Sequence, residues 1–195
     1  MNYVASGMLC AAGSILIAGC NQSKPADSNS AETVPAAAAV DHNDPIASAM
    51  AAAPETIARD ATIVQAAADG SMKTLRAGNN GWTCMPDNPK TPGHDPMCMD
   101  ANAMKWAEAW MTKKTPPADN VGLMYMLAGG SDASNMDPYG EKPAAGKWVE
   151  TGPHVMIVGS ESLNKIYPAT AAPDTAKPYV MFGGTPYAHM MIPIK

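Results

Sequence analysis

The chain has 195 residues, of which 46% are apolar and 16% are charged, and its formal net charge is −5. This composition supports a core of ordinary size. The negative charge argues against nucleic acid or anionic lipid as partners, because both require a basic face. Aromatic residues make up only 6% of the chain, whereas there are 16 Met, so methionine must supply much of the core volume.

An apolar run, Val4–Ala18, opens the chain. It is too short to span a membrane but has the length of the apolar region of an export signal. It ends in two small residues, Ala18 and Gly19, directly before Cys20. The segment Leu16–Cys20 resembles the lipobox of bacterial lipoprotein precursors.

That resemblance implies a signal peptide over residues 1–19, cleavage after Gly19 and acylation of Cys20. In this family three acyl chains hold the protein on the membrane, and each buried methylene adds about 0.8 kcal/mol of membrane affinity. Asn21 follows the cysteine, which in enterobacterial lipoproteins implies sorting to the outer membrane. The alternative is a plain secretory signal with a coincidental cysteine.

The next segment, to about Pro54, is rich in Ala, Pro, Ser and Asp and has few large apolar residues. Such a composition cannot bury enough surface to offset its ordering entropy, so residues 20–54 are predicted to form a disordered, lipidated tether. A short helix within Ile46–Ala53 leads into a single globular domain, residues 55–195.

Two cysteines remain for that domain, because Cys10 leaves with the signal and Cys20 is acylated. In an oxidising compartment Cys84 and Cys98 are most simply a disulfide, which closes a loop containing four prolines. Closing a loop of this length stabilises the fold by about 3 kcal/mol in the chain-entropy model. The alternative is a reactive cysteine paired with His94.

A β-hairpin is predicted where Ala61–Gln65 and Met72–Ala77 flank the turn signal Asp69-Gly70. Helical spacing between Ile57 and Ala68 supports a rival helix.

The best-defined amphipathic helix is predicted from Ala101 to about Lys114, capped by Asp100 and stopped by Pro116-Pro117. Its Trp106 is expected to pack on a sheet.

Short apolar segments punctuated by Gly and Pro fill the rest of the chain, a spacing that predicts a mostly antiparallel sheet and an α+β fold. These segments are Val121–Leu127, Trp148–Glu150, Pro153–Val158, Tyr179–Phe182 and Tyr187–Ile194.

No phosphate loop, dinucleotide fingerprint, zincin or haem motif occurs, and Gly129–Ala133 lacks the final glycine of a nucleophile elbow. No cofactor is therefore expected from motifs. A polar loop offers oxygen ligands for calcium, but Met136 and Pro138 interrupt it, so a capped turn is the preferred interpretation. The oxygen ligands belong to Asp132, Ser134, Asn135, Asp137 and Glu141.

Two His-x-Met pairs lie on predicted strands: His154 with Met156, and His189 with Met191. Alternate residues of a strand share a face. If the two strands were neighbours in register, imidazoles and thioethers would form a soft ligand set suited to copper. Met124, Met126 or Met181 could add to it. The alternative is ordinary core packing, since methionine is often fully buried.

Three functional hypotheses follow. The first is a lipid-anchored module that binds another envelope component, and the second is a copper-binding lipoprotein. The third, less favoured because catalytic motifs are absent, is an enzyme built around His154 or His189 with Asp132 or Ser131. The segments Asn80–Pro86, Gly152–Met156 and Thr185–His189 resemble parts of exported bacterial domains of unassigned activity.

Overall fold

The computed structural model describes Asp41, residues 43–67 and residues 69–194. The predicted signal peptide, Cys20 and the predicted tether up to residue 40 lie outside the described residues. The helices are α1 (Pro45–Met50), α2 (Glu55–Ala58), α3 (Ala101–Met111) and α4 (Glu161–Asn164). The strands are β1 (Thr62–Ala66), β2 (Met72–Arg76), β3 (Thr83–Met85), β4 (Met97–Met99), β5 (Gly122–Met126), β6 (Gly130–Asp132), β7 (Val149–Thr151), β8 (His154–Val158), β9 (Tyr179–Met181) and β10 (His189–Pro193).

Eight strands form one sheet in the order β2-β1-β3-β4-β5-β8-β10-β9, and β6 and β7 form a separate antiparallel pair. All neighbours in the large sheet are antiparallel except β1 and β3. The predicted α+β class with a mostly antiparallel sheet is therefore confirmed. Among the described residues, no helix is long and apolar enough to cross a bilayer.

The predicted hairpin is present as β1 and β2, and the rival helix is absent. Asp69 Oδ1 accepts hydrogen bonds from the backbone N–H of Ser71 at 2.9 Å and from its hydroxyl at 2.6 Å. Gly70 adopts a φ of 83°, which glycine tolerates without steric cost. Turn chemistry thus fixes this hairpin locally.

Helix α3 begins where the sequence predicts, because Asp100 Oδ1 accepts the backbone N–H groups of Asn102 and Ala103. It ends at Met111 instead of near Lys114, as Lys113 adopts a left-handed φ of 57°. The second carboxylate oxygen of Asp100 accepts the Leu123 N–H at 3.0 Å. One side chain therefore caps α3 and fastens it to β5.

Strand alternation gives the sheet two different faces. We call the first the alanine face, where small side chains of α1 and α2 pack on the disulfide. Its buried residues are Ala49, Ala52, Ala53, Ala58, Ala61, Ile63, Cys84 and Cys98. Because Ala49 and Ala52 are 0% exposed, the folded part extends upstream of Glu55, the predicted start of the domain.

The opposite side, which we call the methionine face, packs against α3. The strand register places on it Met85, Met97, Met99, Met124, Met126, Met156, Met181 and Met191, together with His154, His189 and Tyr179. Trp106 of α3 is 5% exposed and packs in the same cluster, as the sequence predicts.

Cys84 and Cys98 lie directly opposite each other on β3 and β4, and their Sγ atoms are at disulfide distance, 1.93 Å. The enclosed loop is held by two carboxylates. Asp87 Oδ1 accepts the Asp95 N–H at 2.7 Å, and Asp95 accepts the Asn88 N–H at 2.9 Å. The disulfide and these bonds together order a loop that has no regular structure.

The polar loop contains a short strand that the sequence analysis did not predict, β6, paired with β7. Beyond it the preferred interpretation, a capped turn, describes the backbone well. The Ser134 hydroxyl accepts the N–H groups of Met136 and Asp137, and Asp137 accepts that of Tyr139. These oxygens thus hold the turn.

Candidate functional site

The four residues proposed as soft ligands share the methionine face. Strands β8 and β10 are antiparallel neighbours, with Met156 opposite Met191 and His154 opposite Pro193. His189 begins β10, four positions from Pro193, so the two histidine Cα atoms are about 14 Å apart at 3.4 Å per residue. The register therefore places Met156 beside Met191 but puts the two imidazoles at opposite ends of the strand pair. At this separation they are too far apart to bind one ion.

His154 has an unusual hydrogen-bond pattern. Its side chain is buried, its Nδ1 lies 2.8 Å from the Gly152 carbonyl oxygen, and its Nε2 is buried without a hydrogen-bond partner. Because a carbonyl only accepts, Nδ1 must carry the proton in the neutral ring, and Nε2 presents a lone pair. Burial lowers the pKa of His154, against the Gly152 hydrogen bond, which favours this neutral form.

Met126 on β5 lies directly opposite His154 on β8. A Cβ atom added at Gly130 would be 3.2 Å from His154 Cε1 and 3.2 Å from Met126 Cε. The ends of both side chains therefore converge beside Gly130. In the sequence, Met126 is one of several methionines that could add to the ligand set, and no sequence signal distinguishes it from the others.

A cavity of about 330 Å³ adjoins this point. Gly130 lines it together with Pro92, Gly93, His94, Ala128, Gly129, Ser131, Glu150, Thr151, Gly152 and Pro153. His154 lies behind this glycine-rich wall, on the side to which a Cβ of Gly130 would point. Gly130 therefore lines the cavity and also lies beside the buried imidazole.

Further buried polar side-chain atoms also lack hydrogen-bond partners. Among the described residues they include Ser131 Oγ, Asn135 Oδ1, Tyr179 Oη and Trp106 Nε1. Unsatisfied buried polar groups are uncommon in native proteins and often mark functional sites. No sequence signal predicts this set, because each residue is ordinary in isolation and only the fold buries them.

Asp132 stands on the same side of β6 as Gly130, since alternate strand residues share a face. Burial, with a smaller effect from the nearby Asp95 carboxylate, raises the pKa of Asp132 to about 7. Burial also raises the pKa of Tyr179, and the Asp132 charge adds to this shift. A titratable carboxyl group therefore lies close to the methionine face.

The proposed enzymatic pairings gain no specific support. Within the described part of the chain, the hydrogen bonds of His154 and His189 go to backbone carbonyls, those of Gly152 and Tyr187. His94 does pair with a carboxylate, Asp87, at 3.1 Å. The alternative of a reactive cysteine beside His94 conflicts with the bridged, fully buried cysteines.

In the described ranges, no group of three or more His, Cys, Asp or Glu side chains is placed to hold a metal ion. The candidate site instead pairs an imidazole with a thioether. Comparison of the chain with protein-family models, with curated proteins and with solved structures finds no match. Evidence about function therefore comes from the residues themselves.

Proposed function

We propose that this chain is a lipid-anchored binding protein of the bacterial cell envelope, and that it binds copper as Cu(I) between His154 and Met126. The observation that carries the proposal is the lone pair of His154 Nε2, buried without a partner on a methionine-lined face.

The chemistry of the two side chains supports a soft cation. A neutral imidazole and a thioether donate electron pairs but carry no charge, a ligand set that suits Cu(I). The Gly152 carbonyl orients the imidazole through Nδ1, as outer hydrogen bonds commonly do for metal-binding histidines. Met156, two residues from His154 on the same face, is available as a third ligand.

Core packing is the competing explanation. It leaves the Nε2 lone pair unsatisfied, which costs about 1–3 kcal/mol for a buried polar group. A bound ion removes that cost.

The copper proposal is tested by titrating the purified lipidated chain in detergent with Cu(I), in competition with a chromogenic chelator. We expect His154→Ala to weaken binding at least tenfold. His94→Ala is the matched control, because the His94 side chain is half-exposed and pairs with the Asp87 carboxylate. Equal affinities of wild type and His154→Ala would refute the proposal.

Gly130→Ala provides a second variant that keeps both ligands. Its new methyl group would lie 2.9 Å from Thr151 Oγ1 and 3.2 Å from both His154 Cε1 and Met126 Cε, so it crowds the point where the two proposed ligands converge. We expect weaker Cu(I) binding, whereas Gly93→Ala, whose added Cβ would have its nearest contact at 3.5 Å, should bind as wild type does.

Anchoring through Cys20 is supported by the lipobox-like segment Leu16–Cys20. We expect Cys20→Ala to release the protein from the membrane fraction, and wild type to fractionate with the outer membrane. A Cys20→Ala protein that still sediments with membranes would contradict the anchor.

Binding of another envelope protein is the second candidate, and the sheet edge favours it. Strand β2 ends the sheet, and its residues Met72, Lys73 and Thr74 are exposed. An exposed edge strand offers backbone groups for pairing with a partner strand. Crosslinking from position 73 in cells would capture such a partner, and absence of a crosslink would count against it.

A further inference from the structure

The arrangement around His154 recurs at the other end of the methionine face. His189 is the first residue of β10, as His154 is the first residue of β8. Its Nδ1 lies 2.9 Å from the carbonyl oxygen of Tyr187, two residues earlier, just as that of His154 contacts Gly152. Both rings are therefore oriented by the same local bond.

Each histidine also faces a methionine on the neighbouring strand. His189 lies directly opposite Met181 on β9, whereas His154 lies opposite Met126 on β5. His189 is 2% exposed and Met181 is 3% exposed. The second pair is thus built from the same two side-chain types in the same cross-strand relation.

The surroundings of His189 are more aromatic. The rings of Trp106 and Phe182 stand edge-on to the imidazole, with centroids 5.1 Å and 5.3 Å from it. Among the described residues, the hydrogen bond of His189 runs from Nδ1 to the Tyr187 carbonyl oxygen, so Nε2 carries the lone pair of the neutral ring. Trp106 is close enough to report on an ion held there.

A row of thioethers separates the two pairs. Met156 lies opposite Met124 on one side and Met191 on the other. This row stands between His154 and His189, which are about 14 Å apart along the strands. Two separate two-residue sites, and not one four-residue site, are what the register allows.

We propose that His189 and Met181 form a second soft-metal site, so that the chain binds two Cu(I) ions at opposite ends of the methionine face. The ligand class rests on the function proposed above, whereas the second location rests on the strand register alone.

Native mass spectrometry of the detergent-solubilised chain with excess Cu(I) tests the number of ions. We expect two ions in wild type and one in His154→Ala. Met181→Leu should lose one ion or bind it at least tenfold more weakly. Met99→Leu is the matched control, because Met99 is equally buried on the same face but lies opposite no histidine, and it should retain two ions.

Tryptophan fluorescence identifies the second site directly. Since Trp106 lies beside His189, the ion that remains in His154→Ala should quench tryptophan emission, and Met181→Leu should abolish this quenching. A merely structural role of Met181 would not change it. Met181→Leu also preserves apolar volume, so the ion count of this single variant tests the second site without an alanine variant of a core histidine.

The outcomes separate the two proposals. One ion in wild type that disappears in His154→Ala leaves the proposed function intact and overturns the second site. Two ions in both wild type and Met181→Leu, without a change in quenching, also overturn it. No ion in wild type overturns both.

Discussion

The two faces of the sheet are built from different materials. On the alanine face, short side chains bring α1 and α2 close to the strands, and the Cys84–Cys98 disulfide locks the packing covalently. On the methionine face, long flexible thioethers fill the space under α3 and surround two buried histidines. The alanine face is therefore held by close packing and a covalent bond, whereas the methionine face has buried polar atoms without hydrogen-bond partners.

The difference in packing between the two faces indicates which of them has room for a ligand. Close packing of small residues leaves no room for a ligand, because interiors are as dense as organic crystals. Methionine has three rotatable side-chain bonds and a polarisable sulfur, so it adapts to an irregular space. The methionine face is therefore the side where sensitivity to pH and metal is expected, and the alanine face the side where sensitivity to reductant is expected.

The largest expected effect concerns Asp132. The pKa of Asp132 is about 7 in the folded protein, whereas the ordinary value for Asp is 3.8. Between about pH 4 and 7 the folded state therefore binds more protons than the unfolded state, and the free energy of unfolding falls as pH rises. Asp132→Asn removes this loss, on the order of 4 kcal/mol at pH 8. Urea unfolding at a series of pH values measures it.

The same unfolding experiment also measures the effect of His189 on stability. Burial, opposed by the Tyr187 hydrogen bond and with a smaller contribution from the charge of His154, lowers the pKa of His189 to about 4. Stability is therefore lost as pH falls from about 6.5 to 4, and this loss should remain in Asp132→Asn. Asp119→Asn, an exposed carboxylate, is the control; a pH profile identical for all three proteins would contradict the assignment to Asp132.

Removal of the disulfide should have the next largest effect. With a sequence separation of 14, loss of the bridge in a Cys84→Ala, Cys98→Ala double variant should cost about 3 kcal/mol of unfolding free energy. Reductant should destabilise wild type but not the variant. Alkylation of both cysteines in unreduced, denatured wild type would show that no bridge exists.

Gly122→Ala tests the contact of α3 with the methionine face. Its added Cβ would lie 2.3 Å from the Ala103 backbone nitrogen, so the helix must move. We expect a loss of about 1–3 kcal/mol, typical of overpacking, measured by thermal or urea unfolding. Gly152→Ala should change stability by less than about 1 kcal/mol, because its Cβ meets no atom; equal losses would refute the close approach of α3.

The smallest effect is expected for Met124→Leu, at 2% exposure on the methionine face. A volume-conserving swap costs less than about 1.5 kcal/mol where the surroundings adapt. Ala49→Leu on the alanine face should cost more, since it inserts volume beside a fully buried residue. If the two unfolding free energies changed equally, the faces would not differ in adaptability.

Local chemistry explains which elements were predictable. Asp69-Gly70 sets the β1–β2 hairpin and Asp100 sets the start of α3, because each acts on backbone groups within three residues. The predicted end of α3 near Lys114 is wrong, because Lys113 adopts a left-handed φ that ends the helix before the prolines. Strand β6 was missed because Gly130–Asp132 gains strand structure only by pairing with β7.

The candidate site was predictable in part. Strand alternation alone put His154 with Met156, and His189 with Met191, on common faces, since that depends only on the two-residue period. Which methionine opposes each histidine, Met126 or Met181, depends on strand order and register.

By itself, then, the sequence determined the fold class, the two His-x-Met pairs and the pair of cysteines available for a bridge, because these follow from periodicity and residue chemistry. Only the tertiary structure decided that His154 and His189 lie at opposite ends of one ladder. The two histidines each begin a strand, and antiparallel pairing of β8 and β10 therefore puts them at opposite ends. The residues within either strand do not determine whether it pairs in the parallel or the antiparallel direction.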